Sequence, residues 1–298
     1  MEERAAGERG ERPAEGAAGA PGRLPIGVCL RAIRAEPGWW LESAVRLDAA
    51  GYSGIWCWDH FMGRGDKTVP VVEAWTVLSM AAARTTRVTV APFVLNVMNR
   101  HPALVARMAS TLHVASGGRL VLGIGIGGAP AEHAAYGMDF PEAPERVQRL
   151  EEAVAVIRAL WTGGPITRDS PFYPLREAYA HPVPDPAPRI IIGGETPAGA
   201  RLAARIGDGW STFDDNFEAN LPRYLEALEG AGRRREDQTV LVGFQGDWLG
   251  EEAFRDTPWW SAPRETWQRW HEAGADGAIV LARTTADIDD LVAAVERW

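Results

Sequence analysis

The stretch Arg119–Gly128, RLVLGIGIGG, limits what this chain can fold into more than any other part of it. An unbroken apolar run describes a strand buried on both faces, as in parallel sheets, where polar and apolar residues do not alternate. Glycines crowded at its end remove the Cβ atoms that would hold a ligand off the main chain, and they permit φ > 0 where the chain turns. A second such unit is Arg189–Gly194, RIIIGG. Two strand-plus-glycine units predict a parallel sheet whose carboxyl ends share one site.

The remaining segments keep one rhythm. Strands are predicted at Leu24–Leu30, Ser53–Phe61, Arg87–Leu95, the opening run, Arg189–Gly193, Gly209–Thr212, Thr239–Phe244 and Gly277–Leu281. Helices are predicted between them at Trp39–Ala50, Val71–Ala83, Pro102–Ala115, Glu145–Trp161, Pro197–Ile206, Phe217–Gly230, Arg264–Ala273 and Asp287–Trp298. In Glu145–Trp161, for example, Val147, Leu150, Val154, Ile157 and Leu160 recur three or four apart and make one apolar face. Eight strands alternating with eight helices predict an α/β fold, a (β/α)8 TIM barrel formed by residues 23–298 as a single domain. The rival is a doubly wound sheet, because Gly123, Gly125 and Gly128 satisfy G-x-G-x-x-G. A dinucleotide fold starts its helix inside the glycine turn, whereas Pro130, Pro141 and Pro144 delay the clear helix here to about Glu145.

Charge and composition exclude several partners. A net charge of −9 argues against a nucleic-acid surface, which needs clustered Lys and Arg. No apolar run reaches the roughly 18 residues of a membrane span, so no membrane partner is expected. The first 22 residues mix charge with Ala, Gly and Pro and lack an apolar h-region, which predicts a disordered tail rather than a signal peptide. Cys29 and Cys57 form neither a disulfide framework nor a zinc site alone and suit a reducing cytoplasm.

Barrels do their chemistry at the carboxyl ends of the strands. The candidates there are Cys29 and Arg31, Asp59 and His60, Asn96, then Ile126, Gly127, Gly128 and Glu132. Further round come Gly193, Gly194, Glu195 and Thr196, then Asp214, Gln245, Asp247 and Arg283. Loops 126–144 and 245–263 are long enough to be lids, and Gly163–Pro188 is expected on the opposite face as a structural connection. His60 is the side chain suited to moving a proton near neutral pH, with Asp59 to orient it or hold a ring N–H; capping or packing is the plain alternative. Gly193–Pro197 offers free amides at a helix start, an anion site unless it is only a tight turn. Arg283 stands where barrels often hold phosphate, or else makes a surface ion pair. The tryptophans Trp248, Trp259, Trp260, Trp267 and Trp270 either pack the rim or line a pocket. No histidine has metal-ligand spacing, so no metal is expected.

Four stretches resemble a known family: IWCWDHF (Ile55–Phe61), RHPALVARMASTLHVASGGRLVLGIGIG (Arg100–Gly127), ERVQRLEEAVAVIRALW (Glu145–Trp161) and RIIIGGETPAGARLAARIGDGW (Arg189–Trp210). They resemble the luciferase-like monooxygenase superfamily of flavin- and F420-dependent oxidoreductases. The resemblance implies a bacterial luciferase-like barrel, a flavin-like ring at the carboxyl ends, a small-molecule substrate and a homodimer. It implies that the catalytic pair is Asp59, contacting the deazaflavin, and His60, donating the proton. Ile126 and Gly127 would meet the cofactor through their backbone, Gly193, Gly194 and Thr196 would lie beneath its anionic tail, and Asn96 would belong to the irregular strand end that backs the ring. Where some F420-dependent sugar-phosphate dehydrogenases have a glutamate directly after the strand's glycine, this chain has Gly128, and Glu132 is not thereby its replacement. The Asp-His pair resembles the F420 branch, which makes coenzyme F420 the expected cofactor. The alternatives are an FMN-dependent monooxygenase served by a separate flavin reductase, and a non-catalytic flavin-binding protein.

Overall fold

Each predicted strand forms in the predicted order in a computed structural model whose described residues are 24–244 and 254–298. The predicted tail at 1–22, together with Gln245, Asp247 and Trp248, lies outside the described residues. The strands are β1 (Ile26–Leu30), β2 (Gly54–Cys57), β3 (Thr89–Pro92), β4 (Leu95–Asn96), β5 (Leu122–Gly125) and β8 (Ile190–Gly193). They continue with β9 (Gly209–Phe213), β10 (Thr239–Gly243) and β11 (Gly277–Ala282), while β6 (Ile166–Arg168) and β7 (Leu175–Ala178) form a separate antiparallel hairpin. All pairings in the main sheet are parallel, in the order β3-β2-β1-β11-β10-β9-β8-β5-β4. β3 and β4 are two pieces of one stave, interrupted at Phe93 and Val94, and a parallel bridge from Val90 to Leu120 closes the ring. The result is the eight-staved barrel, not the doubly wound sheet.

The apolar runs resolve into two alternating sets, each with its own neighbours. In β1, Ile26, Val28 and Leu30 pack outward under the helices, while Cys29 faces the barrel interior with Trp56, Ala91, Phe93 and Ile279. Both sets are buried, which is why the sequence shows no polar alternation. Inside, Phe93 meets Trp56 edge-on at 5.8 Å and Phe213 at 5.6 Å between ring centroids.

The outer layer contains α1 (Pro37–Ala50), α2 (Ala74–Arg84), α3 (Pro102–Ala115), α5 (Ala143–Leu160), α6 (Pro197–Ile206) and α7 (Asp214–Gly230). It is completed by α9 (Pro263–Ala273) and α10 (Thr285–Ala294), with the short α4 (Pro130–Tyr136) and α8 (Pro258–Ser261) in the loops at the carboxyl ends of β5 and β10. Sequence periodicity did not resolve α4, which at seven residues is too short to show a repeating face. Trp259 is buried between Trp270 and Trp298, at 5.1 and 6.0 Å between ring centroids, so of the tryptophans in question Trp259 and Trp270 are packing residues. Among the described residues no helix is long and apolar enough to cross a membrane, and no group of side chains has the makings of a metal site.

The 163–188 connection departs from its expected place. Its hairpin lies along the outside of the barrel, and Tyr173 reaches the His101 ring at 5.3 Å, beside the first turn of α3. That turn follows the carboxyl end of β4, so the segment spans the height of the barrel. Burial of Tyr173 and Leu175 there removes apolar surface that α3 and α5 would otherwise expose.

Candidate active site

The crowded glycines make room mainly for other parts of this chain. A Cβ on Gly193 would stand 2.8 Å from a Val94 methyl, and one on Gly125 would stand 3.0 Å from it. On Gly123 it would meet the Pro92 carbonyl at 2.2 Å. The interruption between β3 and β4, where the Phe93–Val94 peptide is cis, therefore enters space that glycines on β5 and β8 leave open. Gly127 has φ +77°, and a Cβ there would be 2.3 Å from Asn96 Oδ1. Val94 and Asn96 thus form an irregular ledge at the mouth.

The Asp59 carboxylate is fully enclosed and holds this ledge in place. Arg100 binds it through two parallel hydrogen bonds of 2.8 and 2.9 Å, and the Asn99 side chain and Asn96 amide each donate to it at 3.0 Å. Arg100 also pairs with Glu73, whose carboxylate caps the first turn of α2. Three of these bonds fall on Oδ2 and one on Oδ1, and through them the enclosed Asp59 side chain positions Arg100 and the ledge. Nothing in the sequence pairs Arg100 with Asp59, since they lie 41 residues apart.

His60 points to a different partner. Its Nδ1 lies 2.8 Å from Glu132 Oε1, and the other carboxylate oxygen accepts the Phe61 amide at 3.1 Å. Burial by itself would raise the Glu132 carboxyl, but the hydrogen bond and charge of His60, the Phe61 amide and the charge of Arg64 together hold it below the ordinary glutamate value. Glu132 is thus ionised at neutral pH and can only accept, so Nδ1 carries the hydrogen and Nε2 is the atom left to give or take a proton. The Trp58 ring stands edge-on to the imidazole at 6.4 Å. The His60 side chain is 17 % exposed and that of Glu132 only 6 %, so the imidazole has access to the mouth while its partner is covered.

Glu132 comes from α4, and α4 is itself tied down at three points. The Tyr136 hydroxyl donates to the Phe61 carbonyl at 3.0 Å, and Asn96 Nδ2 approaches His133 Nε2 at 3.3 Å. Together with the Glu132 contact, these make α4 a cover over the ends of β2 and β4. The 126–144 loop thus lies over the mouth, where a lid was expected, whereas the 245–253 part of the second expected lid lies outside the described residues.

On the other side of the ledge, Thr196 caps α6 by accepting the Gly199 amide at 3.1 Å, and Gly194 packs backbone to backbone on Gly199. The amides of Thr196 and Ala198 have no acceptor among the described residues and face solvent. Glu195 turns away from this helix start: its carboxylate takes the Thr212 hydroxyl, the Phe213 amide and the Asn216 side chain, and burial raises it above the ordinary glutamate value. The Ile126 carbonyl is occupied by Arg146 Nε at 3.1 Å. Cys29 lies inside the barrel, where burial pushes its thiol up, so it supplies no thiolate. The Arg283 amide donates to Asp287 at 2.7 Å, in the capped turn that starts α10. Asp214 stands in the first turn of α7.

A ledge, a histidine-carboxylate dyad and a helix start with open amides therefore occupy four consecutive staves of one rim. The family model described as luciferase-like monooxygenase matches residues 29–246. An F420-dependent glucose-6-phosphate dehydrogenase of Kineococcus radiotolerans is 31 % identical over 285 residues, covering 92 % of this chain and 83 % of that protein. One of Microbacterium testaceum is 35 % identical over 208 residues, but the match spans only 62 % of its length. Among solved structures, an F420-dependent secondary alcohol dehydrogenase in complex with an F420-acetone adduct superimposes with a TM-score of 0.78 at 22 % identity, covering 92 % of this chain and 98 % of that one. Monooxygenase RslO1 from Streptomyces bottropensis has a TM-score of 0.63 at 23 % identity, covering 92 % and 80 %. These two structures share the fold with this chain.

Proposed function

The chain belongs to the luciferase-like monooxygenase family, and we propose that it is an oxidoreductase using the deazaflavin coenzyme F420 to move hydride to or from a small organic substrate. The observation that carries this reading is the His60-Glu132 dyad at the mouth, an oriented proton carrier beside a ledge suited to a flat ring. The F420-dependent relatives support the choice of cofactor.

The residues present fit such a group. Val94 gives the ledge an apolar side chain for a planar ring to rest on, and the open amides of Thr196 and Ala198 at the start of α6 suit an anionic tail. When bound, the deazaflavin would supply the carbon that gives or receives hydride. His60 Nε2 does the matching proton work. In the oxidative direction it takes the hydroxyl proton as the substrate's C–H pair leaves as hydride, and in the reductive direction it returns that proton to the carbonyl oxygen. Glu132 keeps the imidazole in the right tautomer and stabilises it when charged. α4 and Trp58 keep bulk water from the ring.

The test is titration of the protein with F420 and, separately, with FMN, followed by visible absorbance and fluorescence. Saturable F420 binding is expected, and with it turnover on secondary alcohols or sugar phosphates. His60→Ala should then keep F420 binding while slowing turnover by about 10²- to 10⁴-fold. Binding of FMN alone, with oxygen consumption dependent on a flavin reductase, would overturn the reading in favour of a monooxygenase. Binding of either cofactor without turnover on any substrate would point to a carrier.

A further inference from the structure

The barrel also has an opening at its other end. Beneath Trp56, among the amino ends of the strands, lies a cavity of about 290 Å³. Barrels of this kind normally fill their interior with layers of side chains, but three inward positions of the lowest layer here are Gly27, Gly54 and Gly277. Gly27 and Gly54 are needed for the Trp56 ring to lie where it does, since a Cβ on either would stand 2.3 or 2.8 Å from the indole nitrogen. The ring forms the cavity's inner end, with Val121, Ile191, Leu241 and Ile279 around it.

The charges at the open end do not balance evenly. Asp276 is satisfied by Arg235 at 2.8 Å and the Val240 amide at 2.7 Å, and Glu236 pairs with Arg234 at 3.2 Å. Arg189 has no such match. Its Nη2 donates to the uncharged carbonyls of Asp208 and Asp237 at 2.7 and 2.8 Å, and its Nε is buried with no acceptor. Among the described residues no carboxylate lies within ion-pair distance of it.

We propose that this cavity is a second small-molecule site that takes an aromatic monocarboxylate, its ring among the apolar side chains under Trp56 and its carboxylate against the Arg189 guanidinium. An aromatic indole wall favours a flat ring, an unmatched guanidinium favours one negative charge, and the volume suits a ligand of one or two rings. The hydroxyl of Thr89 serves any further polar substituent, since Thr89 faces inward between the outward-facing Val88 and Val90. The site lies at the opposite end of the barrel from His60 and is independent of the proposed redox chemistry.

The experiment is calorimetric titration of the full-length protein with benzoate, benzyl alcohol and benzylamine as probes. Benzoate should bind, benzyl alcohol more weakly, and benzylamine not at all. Thr89→Phe, which fills the cavity from its wall, should abolish benzoate binding. Arg189→Met should weaken it by about tenfold or more while leaving benzyl alcohol unchanged, as expected for loss of one charge-assisted hydrogen bond. His60→Ala should leave benzoate binding as in the parent. Failure of benzoate to bind at millimolar concentration overturns the proposal, and so does binding that survives Arg189→Met or is lost in His60→Ala. If Thr89→Phe does not fold, Arg189→Met decides the matter.

Discussion

Glu132→Gln tests the dyad with the smallest change of shape. In the parent, one carboxylate oxygen receives His60 Nδ1 at 2.8 Å and the other receives the Phe61 amide at 3.1 Å. A glutamine has one oxygen for two positions, and the Phe61 amide can only donate, so the oxygen goes to Phe61 and the NH₂ group turns to the imidazole. That forces the ring hydrogen onto Nε2 and places a donor against any protonated Nδ1. The stability lost should be about 1 kcal/mol, the difference between a charge-assisted and a neutral hydrogen bond, and no more because His60 is 17 % exposed. The kinetic loss should be larger, about 10²- to 10⁴-fold, because the acid–base atom is held in the wrong form. Nitrogen-proton NMR of the imidazole reads the tautomer without any substrate, urea denaturation reads the stability, and F420-dependent turnover reads the rate. If the variant keeps the Nδ1–H form and turns over like the parent, Glu132 does not orient His60 and the assignment is wrong.

Three further expectations concern the frame of the site. Asp59→Asn leaves Arg100 enclosed with only Glu73 to balance it, so unfolding free energy should fall by about 3 kcal/mol, the low end for a broken buried ion pair, and F420 affinity should fall only as the ledge loosens; unchanged thermal stability would refute the clamp. Gly127→Ala adds a Cβ 2.3 Å from Asn96 Oδ1 at φ +77°, so it should destabilise by more than the roughly 1 kcal/mol of the backbone conformation alone and weaken cofactor binding, as calorimetry would show. Burial alone would raise the Asp48 carboxyl, but the amides of Val88, Thr86 and Arg87 with the Arg87 charge hold it below the ordinary aspartate value. Its contribution is therefore present above the unfolded-state value and lost as pH falls through the lower folded-state value. Asp48→Asn should accordingly flatten the acid side of the stability–pH curve, and an unchanged slope in denaturation at stepped pH would refute this.

The sequence by itself determined the staves and their order. Runs such as Ile190–Gly193 are apolar at every position because each strand is covered on both faces, and that pattern is local enough to read along the chain. Capping and turn residues such as Pro102, Pro197 and Gly51 carried the helix limits in the same way. Asp59, His60 and the helix start at Thr196 were legible because a barrel's active end follows from strand polarity alone. Only the tertiary structure decided what these residues touch. Asp59 and Arg100 are 41 residues apart, His60 and Glu132 are 72 apart, and a contact between them depends on how staves pack, which no local periodicity encodes. The glycines show the same division: their positions were plain, but only the closed barrel reveals that Val94 and Asn96 occupy the space they vacate. Which carboxylate orients the histidine was settled by a seven-residue helix folding back over the mouth, a choice made by packing.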